Sequence, residues 1–341
     1  MAILLTLFGS ALTPVAQAET LRIASFHTGF GRAGPGLLLR DIRRQEPDIT
    51  TATNTIVAMA PDVILLLDFD WDMNNAALVA FQSLLAEAGH PMPFSLSPRP
   101  NTGLSTGMDM DGDGRRGTPD DAQGWARFSG AGAMALLSRW PIERGALIDH
   151  TAFLWRDLPN ARLPRRADRL FPNPEVFDIQ RLASVGAWEV PVVVNGHALW
   201  FWAYHAGPPA FGGSENRNFN RNADETAFWR HRLDEGADDT PATPFVLLGD
   251  ANLDAQAGDG SHVDIRALLA HPALQDPRPI GPFPAAGAPS DVTGHWPDGP
   301  GDLRVDYVLP SADLLVLRSG LAWPSPEARH AMVWVDLNWP P

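Results

Sequence analysis

Cysteine and lysine are both missing from the 341 residues. The first absence removes disulfides and any zinc site built on thiolates, so the fold must be held by its apolar core and, where one binds, by an ion. The second leaves arginine as the only permanent cation: 26 bases stand against 40 acids, a formal net charge of −14. A chain this acidic lacks the broad basic face through which duplex nucleic acid is held by counterion release, so tight DNA binding is not its default. Long apolar runs are missing too. Beyond residues 1–18 no stretch approaches the roughly 20 apolar residues that cross a bilayer, and no membrane span is expected there. No internal repeat is visible.

What the chain does have is 45% hydrophobic residues, dealt out in short strand-like runs. That is enough to bury a sizeable core in a single domain, and a monomer is the expectation. The opening residues form an apolar stretch closed by Ala16-Gln17-Ala18. Although no basic residue precedes it, this small-x-small ending reads as a secretory signal over 1–18, leaving a secreted or periplasmic domain over 19–341.

The run Phe245-Val-Leu-Leu-Gly-Asp-Ala-Asn252 organises the rest. Four apolar residues between a proline and a glycine read as a buried strand, and the glycine opens a turn carrying Asp250 and Asn252. A carboxylate and an amide at a strand's exit can both turn toward a hard cation or a phosphoryl group; the alternative is an Asx-type turn.

Other strands are expected at Leu21–Phe26, ending at His27; at Pro61–Leu67, delivering Asp68, Asp70 and Asp72; at Gly132–Ile142; and in a hairpin across Asn195-Gly196 whose second arm leads to Tyr204-His205. Further strands read at Arg304–Leu309, Asp313–Leu317 and Ala331–Leu337. Helices read from Gly36 to Arg44, Asn75 to Gly89, Ala223 to Glu235 and Val263 to Ala270. Many short strands with a few helices outside them suggest two packed sheets flanked by helices.

Residues 98–127 are too long and too rich in Gly, Asp and Pro for an ordinary loop unless something orders them. Within them, 109–120 fits the calcium-loop pattern: Asp109, Asp111 and Asp113 at the first, third and fifth places, glycine at the sixth, the carbonyl of Arg115 at the seventh and Asp120 at the twelfth. Aspartate stands where glutamate is usual and no helix leads in. The expectation is a lone structural Ca2+ site, against a merely solvated acidic loop.

His27, Asp68, His205, Asp250 with Asn252, Asp306 and His330 each lie at or beside the end of an expected strand. Should those ends converge, they assemble a carboxylate-rich pocket with several imidazoles, an inventory suited to metal-assisted phosphoester hydrolysis.

In the order Leu21-to-His27, Pro61-to-Asp68, Gly132-to-Ile142, Tyr204-His205, Gly249-Asp-Ala-Asn252, Arg304-Val-Asp-Tyr307 and Arg329-His330, these motifs resemble the endonuclease/exonuclease/phosphatase superfamily over essentially the whole of 19–341. The resemblance implies a four-layered α/β sandwich with two packed, mostly antiparallel sheets, dependence on Mg2+ or Mn2+, and in-line attack of water on a phosphodiester or phosphomonoester of a small molecule or nucleic acid. By the same resemblance, Asp68 and His27 are metal ligands, standing where glutamate and asparagine are usual. Asp250 positions the nucleophile, Asn252 binds phosphate, His205 is catalytic, and Asp306 and His330 are a carboxylate–imidazole pair.

The departure is Arg329, where the superfamily usually has aspartate. Its guanidinium fork suits phosphate. Arg217, Asn218 and Arg221, just beyond His205, are further candidates for substrate phosphate, or else a network at a helix start. An extracellular binding protein that kept the fold and lost the chemistry is the rival reading, with Arg329 as its best support.

Overall fold

The apolar runs are continuous rather than alternating because both faces of their strands are covered. In the computed structural model, which describes residues 19–234, 244–283 and 289–340, two sheets pack face to face with helices outside each. The expected signal stretch 1–18 lies outside the described residues.

The strands of the first sheet are β1 (Glu19–Phe30), β2 (Val63–Phe69), β3 (Phe94–Leu96) and β4 (Ala133–Ser138), with two from the end of the chain. The second sheet uses β5 (Ile148–Asp149), β6 (Gly186–Val194), β7 (His197–His205), β8 (Phe245–Asp250) and β9 (Asp306–Pro310). The chain then returns to the first sheet with β10 (Leu315–Ala322) and β11 (Met332–Trp339). Spatial order is β10-β11-β1-β2-β4-β3 in one sheet and β9-β8-β7-β6-β5 in the other. Only β1 with β2 and β7 with β8 run parallel within these sheets.

Strand β2 shows the layering. Val63, Leu65 and Leu67 enter the core between the sheets, where they meet Val190, Phe201, Val246 and Val308 of the second sheet. Ile64 and Leu66 point the other way, into a layer filled by Leu38, Ile42, Ile49, Ile56, Phe81 and Leu85. Those side chains come from α1 (Leu37–Arg44), α2 (Pro47–Met59) and α3 (Ala76–Glu87). On the far side, Trp202, Phe245 and Leu309 pack on Phe228, Trp229, Ile265 and Leu268 of α4 (Arg217–Asp234) and α5 (His262–Leu269). Four layers result.

The expected elements shift at several places. Helix α2 has no counterpart in the sequence reading: Pro47 sits in its first turn, and Thr51, Thr53 and Thr55 donate their hydroxyls to the carbonyls of Pro47, Ile49 and Thr51. Helix α4 starts at Arg217 rather than Ala223, because Arg221 and Asn222 of its polar opening are buried and donate to loop carbonyls instead of facing water. Strand β10 runs over 315–322 rather than 313–317, and β9 begins at Asp306 rather than Arg304.

The segment 98–127 is held from within. Buried Asn101 donates to the carbonyls of Thr151 and Ala183 at 2.7 Å each. Buried Asp121 accepts from the N–H of Met110 (2.8 Å), the N–H of Thr118 (2.9 Å) and the hydroxyl of Thr118 (2.8 Å).

Candidate active site

Strands β1 and β2 lose register with each other between His27 and Phe30, and β2 loses register with β4 between Leu67 and Phe69. Such bulges re-aim side chains at sheet edges and sites. Asp68 falls on this break with a left-handed φ of 52°. The hydroxyl of Thr28 steadies the distortion by donating to the carbonyl of Leu67 at 2.9 Å. Two glycines make room for the carboxylate: a Cβ at Gly31 would lie 2.6 Å from Oδ1 of Asp68, and one at Gly132 2.9 Å. Asp70, beside it, accepts from the N–H groups of Arg32 and Gly132 at 2.9 Å each, and Asp72 caps the start of α3. All three acids in that run therefore meet backbone N–H groups, Asp68 that of Gly31.

The second sheet builds the opposite wall in the same manner. Gly249 pairs with Tyr204 of the parallel strand β7 at a φ of 141°, and a Cβ there would sit 1.8 Å from the Tyr204 carbonyl oxygen. No other residue fits. Close approach brings Asp250 level with His205, the two being register partners, with Nε2 of His205 3.7 Å from Oδ2 of Asp250. Asn252 takes a left-handed φ of 49°, tolerated by asparagine, and gives its N–H to Oδ1 of Asp250 at 2.6 Å. Its side-chain amide donates to the carbonyl of Ala206 at 2.8 Å.

Asp250 is also the register partner of Asp306 on antiparallel β9. Oδ2 of Asp306 lies 2.8 Å from Nδ1 of His330, and both residues are buried. Thr293 fastens this pair: its hydroxyl accepts from the N–H groups of Val305 and Asp306, and its carbonyl accepts from the N–H of Ala331. The His330 ring stacks on His27 with centroids 4.0 Å apart and planes 9° from parallel, while His205 meets His27 edge-on at 5.4 Å. The edge of Trp296 closes the far side of His330 at 5.0 Å. His27, His205, Asp250, Asp306 and His330 thus meet where the two sheets meet.

Electrostatics follow from burial. His27 and His205 are held neutral well below the usual imidazole range by desolvation, with neighbouring imidazoles adding to the effect. His330 is pushed down to about 3, by burial first and by the charge of exposed Arg329 second. Asp250 and Asp306 are pushed up, each mainly by burial, and Asp250 also by the charge of Asp306. Two facing carboxylates with neutral imidazoles around them form an environment that a divalent cation would stabilise strongly.

Donor chemistry agrees. One ligand atom each from His27, Asp250 and His330 falls within 4.8 Å of the others. With Nδ1 of His330 engaged by Asp306, its Nε2 is the atom left to ligate. Oδ1 of Asp306 and Nδ1 of His205 are buried without a partner among the described residues. Asp68 is not in the three-residue group; it lines a cleft of about 1020 Å³ that runs away from His205. Desolvation raises its carboxyl.

The remaining candidates divide. Arg329 is exposed, its backbone carbonyl accepting from the N–H of His295 at 2.8 Å, and its guanidinium makes no hydrogen bond among the described residues. Arg217 lies on the cleft and donates to Oε1 of Gln180 at 3.1 Å; the acids of the 109–121 segment surround it. Asn218 donates to the carbonyl of Ala210 at 2.7 Å. Arg221 is buried and its guanidinium serves the carbonyls of Leu182, Gln123, Arg181 and Ala183 at 2.7–3.0 Å. Of the alternatives for Arg221, the helix-start network describes what its donors do.

In the acidic loop, Asp109, Asp111 and Asp113 bring carboxylate oxygens within 4.8 Å of one another. Asp109 accepts from Gly112 and Gly114, and Asp113 from the N–H of Arg115 at 2.7 Å. Asp120 stands outside that trio, exposed on the cleft, while Asp121 turns inward to clasp the loop.

Sequence reasoning named Asp70 only as one of three acids at a strand's exit and did not pick out Thr293 or Glu225. Glu225, buried on α4, accepts from the N–H groups of Ser184 and Gly207 and so ties the loop after His205 to the helix. Their partners are backbone N–H groups far away in the chain, so no spacing could reveal them.

The profile of the Endonuclease/Exonuclease/phosphatase family matches residues 29–335. Among solved structures, an endonuclease/exonuclease/phosphatase from Beutenbergia cavernae superposes with a TM-score of 0.58 at 19% identity, over 94% of this chain and 72% of that one. Sphingomyelinase C from Streptomyces griseocarneus does so with a TM-score of 0.52 at 15% identity, over 94% and 100%. A 3'-5' exonuclease from Neisseria meningitidis gives 0.50 at 15% identity, over 94% and 100%. At such identities the likeness is one of fold. No curated protein matches the sequence.

Proposed function

Since the chain belongs to the endonuclease/exonuclease/phosphatase family, whose members are metal-dependent hydrolases of phosphoester bonds, we propose that it hydrolyses small phosphodiesters or phosphomonoesters by in-line attack of water. The observation that carries this reading is the pairing of Asp306 with His330 at 2.8 Å, stacked under His27 and facing Asp250.

His27, Asp250 and His330 would hold the divalent ion, with Asp68 reaching it from the cleft side. Two imidazoles beside a carboxylate suit Mn2+ better than Mg2+, which prefers an all-oxygen shell. When bound, the ion supplies charge neutralisation for the phosphoryl oxygens. Asp250, its Oδ1 fixed by Asn252 and its Oδ2 turned toward His205, accepts the proton of the attacking water. Asp306 fixes the tautomer and tilt of His330, so that a neutral imidazole faces the site. In this reading the second N–H of the Asn252 amide and the guanidinium of Arg329 would bind the phosphate. His205, buried and neutral, offers a proton relay to the leaving oxygen.

The net charge of −14 favours small phosphoesters over a long polyanion. Export as a secreted or periplasmic protein, with residues 1–18 removed, belongs to the same reading; amino-terminal sequencing of exported protein tests it. So does Ca2+ in the 109–120 loop, held by Asp109, Asp111 and Asp113 as a structural ion.

The deciding experiment measures hydrolysis of bis-aryl and mono-aryl phosphates and plasmid DNA with Mg2+, Mn2+ or Ca2+, in wild type and Asp250→Ala. Metal-dependent turnover that disappears in the variant is expected. Equal, metal-independent background in both proteins would overturn the reading and leave a binding protein that kept the fold.

A further inference from the structure

We propose that the cleft leading away from His205 is a subsite for an aromatic group carried by the phosphoester, so that the preferred substrate is a small ester bearing one such group rather than a polynucleotide. The inference rests on the phosphoesterase reading above and specifies its substrate.

Two aromatic side chains stand out into solvent on the same cleft: Phe211 is 92% exposed and Trp125 59% exposed. Singly exposed apolar residues are ordinary, but two large ones facing one concavity beside catalytic groups are the signature of a ligand's apolar part. Phe211 is moreover held in a left-handed backbone conformation, φ 66°, that bulky residues rarely adopt. The start of α4 holds it there. Asn218 donates to the Ala210 carbonyl, and Gly212 packs so closely on the helix that a Cβ would lie 2.5 Å from the Asn218 nitrogen. Asn218 thereby acquires a job, presentation of Phe211, distinct from phosphate binding.

The charges on the cleft decide what else can enter. Arg32 is paired with Asp41 and Asp48, and Arg166 with Glu215 while it lies 3.8 Å over the Phe171 ring. Arg217 and Arg221 are spent on Gln180 and on backbone carbonyls. Arg127, next to Trp125, is the cleft arginine that makes no hydrogen bond or ion pair among the described residues. Against it stand Asp120 and the Asp109–Asp111–Asp113 trio, which keeps a net negative charge even around a bound Ca2+. A second phosphate following the scissile one would meet more acid than free base, whereas a neutral aromatic group meets Trp125 and Phe211. A volume of about 1020 Å³ accommodates such a group without strain.

Diphenyl phosphate and dimethyl phosphate carry the same charge and differ in their aromatic groups, so they isolate the subsite. Each would be titrated calorimetrically into protein loaded with Mn2+ and Ca2+, at a temperature and duration at which the ester is recovered intact, and each used to inhibit hydrolysis of bis(4-nitrophenyl) phosphate. Diphenyl phosphate is expected to bind about tenfold tighter, the scale of one aromatic stack. Trp125→Ala and Phe211→Ala are expected to narrow that gap, and the double variant to close it; both positions are exposed, so the variants fold. A single-stranded thymidine oligonucleotide is expected to compete no better than dimethyl phosphate. Equal affinities in the wild type, a gap that survives the double variant, or tighter binding of the oligonucleotide than of diphenyl phosphate would overturn the subsite. Because calorimetry needs no turnover, a tenfold gap without hydrolysis would sink the phosphoesterase reading alone, and hydrolysis without a gap would sink the subsite alone.

Discussion

In the proposed mechanism Asp306 acts only through His330, and that makes it the sharpest residue to change. Asp306→Asn keeps the shape but can present an N–H where Nδ1 of His330 needs an acceptor, so the imidazole turns or changes tautomer. We expect kcat on aryl phosphates to fall by about 10–100-fold and more Mn2+ to be needed for half-maximal rate, the scale of a lost partner to a metal-bound imidazole. A purely structural role would show as lost stability with kcat retained. Gly249→Ala is a test of a different kind, since its Cβ would overlap the Tyr204 carbonyl at 1.8 Å. The expected result is a protein that fails to accumulate in folded form, assayed by far-UV circular dichroism. Much of this residue layer was legible in the sequence: Gly249, Asp250 and Asn252 announce a strand exit by their types alone, and His330 follows a strand-end pattern. Arg221 was not, because a guanidinium bound for phosphate and one bound for carbonyls look the same until the chain has folded.

Helix α4 is the element on which the loops around the site depend. Arg221 holds four carbonyls, Asn222 donates to the carbonyls of Gly207 and Ala251 at 2.8 Å each, and Glu225 holds two N–H groups. Arg221→Met keeps the bulk and leaves those carbonyls buried without donors, so unfolding in urea is expected to come at lower concentration by the equivalent of about 3–5 kcal/mol. Glu225 adds a pH signature. Burial outweighs its two N–H donors and the charge of Arg221, raising its carboxyl from 4.5 to about 7. Between those values the folded state binds the proton that the unfolded state has released, so stability falls as pH rises through this window and levels off above it. The contribution is on the order of 3 kcal/mol, and in Glu225→Gln the slope between the same two pH values should flatten, as measured by urea titration at each pH. If the slope is unchanged, Glu225 is not its source. Element starts were the weakest part of the sequence reading for a related reason. The threonines of α2 look strand-like until their hydroxyls are seen folding back on the helix's own carbonyls, and the polar opening of α4 looks like a loop until other loops bury it.

For the molecule as a whole, the layers follow from the uninterrupted apolar runs, which only a strand covered on both faces needs; that much could be read before any coordinates. The convergence of strand ends could be anticipated, but the cleft could not, since its walls come from segments remote in the chain. The acidic loop on that cleft makes a prediction about the entire fold: millimolar Ca2+ should raise the melting temperature by a few degrees, as expected for a ligand binding only the folded state. Asp111→Asn with Asp113→Asn should abolish the increment. An equal rise in the double variant would assign the ion to another place.

Strand β1 lies between β2, its near neighbour in the chain, and β11, the last strand. The stacked imidazoles of His27 and His330 therefore come from opposite extremes of the chain, and closing so long a loop is slow and costly in entropy. A growing or partly folded chain can form the helices and the β6–β7 hairpin early, yet it has no cation cage and no Asp306–His330 pair until the final strand docks. Until β11 pairs with β1, neither the imidazole stack nor the Asp306–His330 contact is in place, so a partly folded chain lacks the assembled site.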